Sequence, residues 1–283
     1  MAVKAYDGER SRELCIMTSP LTSPVLVTGG TGTLGRQVVP LLRAAGRDVR
    51  VLSRSAHPAA EGLEHVTGDL LTGEGVDAAV AGAETVLHLA GGQKGDDEAT
   101  RTLLRAAGPA GVRHLVYISV IGADRVPLAW MRTKLDAERA VADSGIPWTT
   151  LRAAQFHDLA LAMVEKMARL PVLPAPGGLR LQPVDAREVA ARLVELSLGE
   201  PAGRVPDLAG PGLYDIPALV RPYLDLRGRR PRPRLPIRIP GKAGRAYRAG
   251  DNLTLEGAET GKRTWEEFLA VSPAVRGDRR RRP

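Results

Sequence analysis

Cysteine is all but missing from this chain. Cys15 is the only one in 283 residues, which excludes an intramolecular disulfide and any cysteine-built metal site. The five histidines, His57, His65, His88, His114 and His157, have no spacing that gathers two on one helix face, so metal catalysis is set aside as well. Long apolar runs are absent too, and none approaches the roughly 18 residues that span a bilayer. Near the start only Leu14 to Met17 is apolar, too short a stretch for the core of a signal peptide. A cytoplasmic protein with no membrane partner is the expectation.

Aromatic residues make up only 4% of the chain, and none falls in its two basic runs. RGRRPRPRLPIR (227–238) has six arginines and no acid, and RGDRRRRP (276–283) has five arginines against Asp278. These runs account for much of the net charge of +8. A basic patch is one footprint of a nucleic-acid protein. Here no rings interleave to stack on bases, and Pro231, Pro233 and Pro236 punctuate the first run. A solvated loop and a tail are expected instead, with no nucleic-acid partner. What remains is an ordinary globular composition, 43% hydrophobic and 25% charged, able to bury a sizeable core.

From Pro24 onward short apolar runs alternate with helical patterns. PVLVT (24–28) reads as a buried strand. The segment after it has apolar residues at 34, 38, 41, 42 and 45, the spacing of one helix face. Pro40 within that helix predicts a kink. Further strands are expected at 48–53, 63–69, 84–90, 114–120 and 148–154. Helices are expected at about 72–81, 97–107 and 128–144, the last ending at Gly145 with Pro147 beyond. Such alternation implies a doubly wound α/β fold with a parallel sheet covered on both faces. After about residue 156 the elements shorten. A helix at 157–170 is followed by the loop-rich PVLPAPGG and then a strand-like LRLQPV. Two capping boxes are predicted, Asp185 with Glu188 and Thr264 with Glu267.

VTGGTGTLG (27–35) sits between the first strand and the first helix. It satisfies G-x-G-x-x-G through Gly30, Gly32 and Gly35, and a second spacing through Gly29, Gly32 and Gly35. Glycine allows the tight turn and lets backbone approach a pyrophosphate, whose charge meets the free amides and dipole of the helix start. Thr28, Gly29, Gly30, Thr31, Gly32, Thr33, Leu34 and Gly35 are therefore candidate cofactor contacts. The second strand ends in Ser53, Arg54 and Ser55. A site for the unphosphorylated dinucleotide usually has an acid here, about 20 residues past the glycines. A guanidinium flanked by hydroxyls suits a 2′-phosphate instead, with Arg36 as a second partner, so NADPH is expected over NADH.

These residues are similar to the short-chain dehydrogenase/reductase superfamily and resemble most its atypical, NmrA-like NAD(P)H-binding branch with its actinobacterial oxidoreductase relatives. The matching stretches are LVTGGTGTLGR, VTGDL, VLHLAGG, VYISVIGAD, RTKLDAERAVADSGIPWTTLRAAQF, QPVDAREVAARLVEL and TWEEFL, spanning residues 25 to 270. The resemblance implies a Rossmann-type domain with Asp69 and Leu70 near the adenine and with Ala90 and Gly91 behind the cofactor. Ser119 and Lys134 would stand near the nicotinamide, and residues beyond Arg152 would line the substrate pocket. The change of rhythm along the chain suggests a division into an extension (1–19), an NADP-binding core (20–156), a substrate lobe partly interleaved with it (157–275) and a basic tail (276–283).

In WMRTK (130–134) the chain departs from the family pattern. Trp130 occupies the place of the tyrosine that protonates the substrate, and an indole N–H does not ionise usefully. Three routes stay open: hydride transfer with little acid assistance, a proton from Lys134, or a proton from His157. The expected function is NADPH-dependent reduction of a small organic acceptor such as a quinone or a conjugated carbonyl. The alternatives are a silent NADP(H) sensor acting through a protein partner, and an epimerase or dehydratase. Plainer readings stand beside these: Lys134 paired with Glu138 on the helix surface, Ser119 bonded to local backbone, and His88 packed near the cofactor turn. The sequence assigns no oligomeric state.

Overall fold

The computed structural model describes residues 23–276 apart from 59, 93 and 94. The expected extension 1–19, with Cys15, and residues 277–283 of the expected tail lie outside the described residues. Val25–Thr28 forms β1, and all four of its residues are buried, as befits a strand covered on both faces. The alternation then runs α1 (Gly35–Ala44), β2 (Val49–Ser53), β3 (Leu63–Thr67), α2 (Val76–Val80) and β4 (Thr85–His88). It continues with α3 (Asp96–Ala107), β5 (His114–Val120), α4 (Ala129–Ala142) and β6 (Trp148–Ala153). Next come α5 (His157–Met167), β7 (Leu173–Pro176), β8 (Arg180–Leu181), α6 (Ala186–Leu198), β9 (Gly203–Arg204), β10 (Leu208–Ala209) and β11 (Tyr214–Asp215). The rest is α7 (Ile216–Leu226), β12 (Arg234–Ile237), α8 (Gly241–Ala249), β13 (Glu259–Thr260), α9 (Trp265–Val271) and α10 (Pro273–Arg276).

The main sheet is parallel, in the order β3-β2-β1-β4-β5-β6-β10-β13, with β9 also paired to β6. This is the doubly wound α/β architecture expected. Because side chains alternate along a strand, Val25 and Val27 face one side and Leu26 the other. The first side packs α1 and α6 through Val38, Leu42, Val189 and Leu193. The second packs α2, α3 and α4 through Val80, Leu103, Ala137 and Val141. Leu26, Leu42, Leu87, Leu103, Leu115 and Leu151 are fully buried, each contributing on the order of 2 kcal/mol. The winding direction reverses between β1 and β4, where open α/β sheets leave their ligand crevice.

Several expectations change. Helix α1 holds Pro40 within it, and Pro40 is exposed, so water can meet the carbonyl its missing N–H leaves free. Part of the arginine run is not loop: Arg234–Ile237 pair in parallel with Leu173–Pro176. After residue 156 the chain also contributes to the core sheet, which α6 covers and β9, β10 and β13 extend. Thr264 and Glu267 form the expected reciprocal box. Asp185 caps α6 through Arg187 N–H, but Glu188 turns away and accepts from the amides of Lys262 and Arg263 at 2.7 and 3.2 Å. A third apolar cluster builds the lobe from α5, α7 and α9 around Trp265. Among the described residues no helix is long and apolar enough to cross a membrane.

Candidate active site

The loop after β1 is held by contacts that only glycine permits. Gly29 has φ +69°, and a Cβ there would come 2.7 Å from Ala90 N. A Cβ on Gly35 would meet Gly29 O and Gly30 Cα, both at 2.4 Å. The turn thus lies against the end of β4 while α1 starts hard upon it. Gly32 differs: its Cβ would meet only Gly29 O, at 3.3 Å, and Thr31, Gly32 and Thr33 are exposed. Leu34 gives α1 no side-chain cap, and the first turn contains no acid. The amides of Arg36 and Gln37 donate to Gly32 O and Leu34 O, and the positive end of the helix stands at this exposed turn, a setting that suits an anionic diphosphate.

Beside it, Gly30 abuts Val51 of β2, and β2 leads directly into Ser53, Arg54 and Ser55. Ser53 Oγ accepts from Ser55 N at 3.2 Å, which shapes the bend. Arg54 is exposed and makes no hydrogen bond or ion pair among the described residues. Arg36, expected as its companion, is engaged in the turn itself through Nε to Thr31 O at 2.8 Å. Asp69 accepts from Leu71 N through Oδ1 at 2.8 Å, so it organises its own turn, followed by the buried Leu70.

A buried polar row crosses the sheet just below this crevice. Thr28, His88 and Tyr117 are in register on adjacent strands. Thr28 Oγ1 lies 2.7 Å from His88 Nδ1, and His88 Nε2 lies 3.0 Å from Thr100 Oγ1. Thr100 donates to Asp96 O at 2.7 Å, so it must accept from Nε2. Nδ1 then accepts from Thr28, which in turn accepts from Ala90 N at 3.2 Å. The bonds assign one neutral tautomer. Burial, with Lys134 second, lowers the His88 pKa to about 3, so the ring is uncharged. This supports and extends the plain reading of His88: it joins β1, β4 and α3 and does no proton chemistry.

Lys134 is not paired with Glu138. Its Nζ lies 2.6 Å from Asp96 Oδ2, with the two side chains 11% and 3% exposed. Tyr117 OH is 3.4 Å away, and the ring face is at 5.2 Å. Burial, with Asp96 next, raises the Tyr117 pKa, so that phenol stays protonated. Glu138 instead takes a two-pronged contact from Arg152, at 2.8 and 2.6 Å, and Arg152 also reaches Asp124 at 2.8 Å. Burial disfavours the Arg152 charge, but the two carboxylates outweigh it and raise the pKa.

Ser119 stands two residues beyond Tyr117, on the same face of β5. It is 1% exposed, and its Oγ has no hydrogen-bond partner, contrary to the reading in which local backbone satisfies it. Trp130 packs in a small cluster with Val120, Val126, Met131, Ala246 and Tyr247, between the end of β5 and the lobe. His157 lies at the start of α5. It is fully buried, with its ring 5.0 Å from Phe268 and 5.7 Å from Trp265. Burial, opposed mainly by Asp185, lowers its pKa to about 4. Reading the sequence missed Asp96, Tyr117 and Thr100. Strand alternation through Tyr117 to Ser119 was the one available signal.

Comparison with known proteins agrees with this geometry. The family described as NAD(P)H-binding matches residues 29–195. The (4-alkanoyl-5-oxo-2,5-dihydrofuran-3-yl)methyl phosphate reductase of Streptomyces griseus is 32% identical over 194 residues, 66% of this chain and 68% of that protein. The NAD(P)H azoreductase of Xenophilus azovorans is 30% identical over 177 residues, 60% of this chain and 62% of its own length. Among solved structures, the NADPH-dependent quinone oxidoreductase of Escherichia coli complexed with NADPH has a TM-score of 0.74 at 20% identity. It covers 87% of this chain and 98% of that one.

Proposed function

The chain belongs to the NAD(P)H-binding family, and from that premise we propose that this NAD(P)-dependent oxidoreductase uses NADPH to reduce a small conjugated acceptor, a quinone or an enone. The observation that carries the reading is the glycine turn. Gly29 and Gly35 are closed by backbone, while Gly32 and the uncapped start of α1 stay open. That surface suits a diphosphate. Arg54, with Ser53 and Ser55 on either side, is the group for a 2′-phosphate, because a guanidinium binds phosphate bidentately. Ala90 and Gly91 form the back wall, Asp69 and Leu70 lie toward the adenine end, and Lys134 meets the ribose.

When bound, the reduced nicotinamide supplies hydride. The protein has to orient the acceptor. Ser119 Oγ, buried without a partner, is the donor for an acceptor oxygen. Trp130 brings no exchangeable acid, and Lys134 is held by Asp96. A conjugated acceptor suits such a site because its reduced anion is delocalised and takes its proton from solvent. A positioned acid is worth about 10²–10⁴ in rate, so simple ketones should be poor substrates. The relatives named for azo compounds and quinones point to the same class of acceptor.

The test is an NADPH binding titration with an acceptor panel of quinones, enones and plain ketones, followed by loss of reduced-nicotinamide absorbance. Oxidation by quinones or enones in excess of ketones is expected. Binding without oxidation across the whole panel would overturn the proposed reaction.

A further inference from the structure

We infer that Asp96 is the positioning residue for Lys134, so that an aspartate–lysine couple does in this chain what a bare lysine cannot. The inference rests on the placement of Lys134 at the cofactor ribose proposed above.

Asp96 opens α3 and is 3% exposed, yet each of its acceptors has a different task. Oδ1 accepts from Gly92 N at 2.8 Å, fixing the segment that leaves β4. Oδ2 meets Lys134 Nζ at 2.6 Å, a contact made by charge more than by hydrogen-bond alignment. The main-chain oxygen accepts from Thr100, which carries the His88 and Thr28 bonds back to Ala90. One buried carboxylate therefore ties the backbone behind the proposed cofactor site to the lysine beside it. Moving Lys134 away would strand a buried charge, a costly state.

Geometry also fixes where the ammonium stands. A Cβ on Gly91 would come 3.0 Å from Nζ and 3.2 Å from Asp96 Oδ1, so the pair fits directly beneath a backbone that has no side chain there. An ammonium has three donors. Asp96 and Tyr117 account for two directions, and the side chain keeps 11% exposure. At least one donor is left for a ligand hydroxyl. Without Asp96 the long lysine stem would spread over several rotamers, and that donor would have no fixed direction.

The experiment is a double-mutant cycle on NADPH affinity, read by fluorescence titration and paired with thermal melts. Asp96→Asn keeps an acceptor for Gly92 and removes the charge; Asp96→Glu keeps the charge on a longer arm. Each is made with and without Lys134→Met. The expected result is that Asp96→Asn weakens NADPH about tenfold in the wild-type background and less than about twofold once Lys134 is gone. Asp96→Glu should restore part of the affinity. Equal weakening in both backgrounds, or no weakening in a folded Asp96→Asn protein, would overturn the inference. If Asp96→Asn does not fold, the Asp96→Glu pair decides by the same additivity rule. Failure of the unaltered protein to bind NADPH would instead sink the proposed function.

Discussion

Acidification makes a sharp test of the buried polar row. His88 and His157 are fully buried, and burial lowers their pKa values from 6.5 to about 3 and about 4. Both rings are neutral in the folded protein down to those values, while the unfolded chain takes up a proton at each below 6.5. Stability is therefore complete above pH 6.5 and lost as pH falls toward the folded values. At pH 5 each ring lies one and a half units below its ordinary value, at about 1.4 kcal/mol per unit. Each then removes about 2 kcal/mol, and the two together about 4 kcal/mol. A domain holds only about 5–15 kcal/mol in all, so the effect is large. Urea unfolding at pH 7 and pH 5 measures it. His88→Gln, which can keep both threonine contacts but cannot titrate, should reduce the difference by about half. A folded-state titration of His88 near 6.5 by NMR, or an unchanged pH dependence in the variant, would refute the reasoning.

Three further outcomes follow from particular contacts. Gly35→Ala places a methyl 2.4 Å from Gly29 O and Gly30 Cα; backbone cannot give way as a side chain can, so chemical denaturation should show a loss of about 1–3 kcal/mol together with weaker NADPH binding. Arg152→Met leaves Glu138, 11% exposed, without its partner. Loss of one member of a buried pair should cost about 3–5 kcal/mol in a denaturant melt, partly recovered at low pH where the carboxylate can take a proton. Ser119→Ala removes a buried hydroxyl that has no partner. It should leave the melting temperature unchanged or higher while lowering kcat/KM for the acceptor by about tenfold.

Local features of the fold were legible in the sequence; features made by distant contacts were not. The apolar run at 25–28 and the glycines after it announced β1 and its turn because a covered strand and a tight approach each demand particular residues. Two-residue strands such as β10 and β13 have no pattern of their own; β10 exists because the edge of β6 offers it a partner, and β13 because β10 then does. The arginine run looked like solvated loop since nothing in it shows that Leu173–Pro176 will lie alongside. Sequence spacing alone allows Lys134 to pair with Glu138 one turn on. Asp96, from another helix, and Arg152, from another strand, compete for those two residues and win by burial. His157 resembled a catalytic candidate by position, but Trp265 and Phe268, more than a hundred residues later, close over it.

The central claim is that a phosphorylated dinucleotide rests on the open glycine turn with Arg54 at its 2′-phosphate. Calorimetric titration of the unaltered protein and of Arg54→Glu with NADPH and NADH measures this directly. The account predicts tighter binding of NADPH than NADH, with the substitution weakening NADPH by about 10- to 100-fold, or roughly 1.4–2.8 kcal/mol, and changing NADH little. Equal weakening of both coenzymes, or no heat with either, would contradict it.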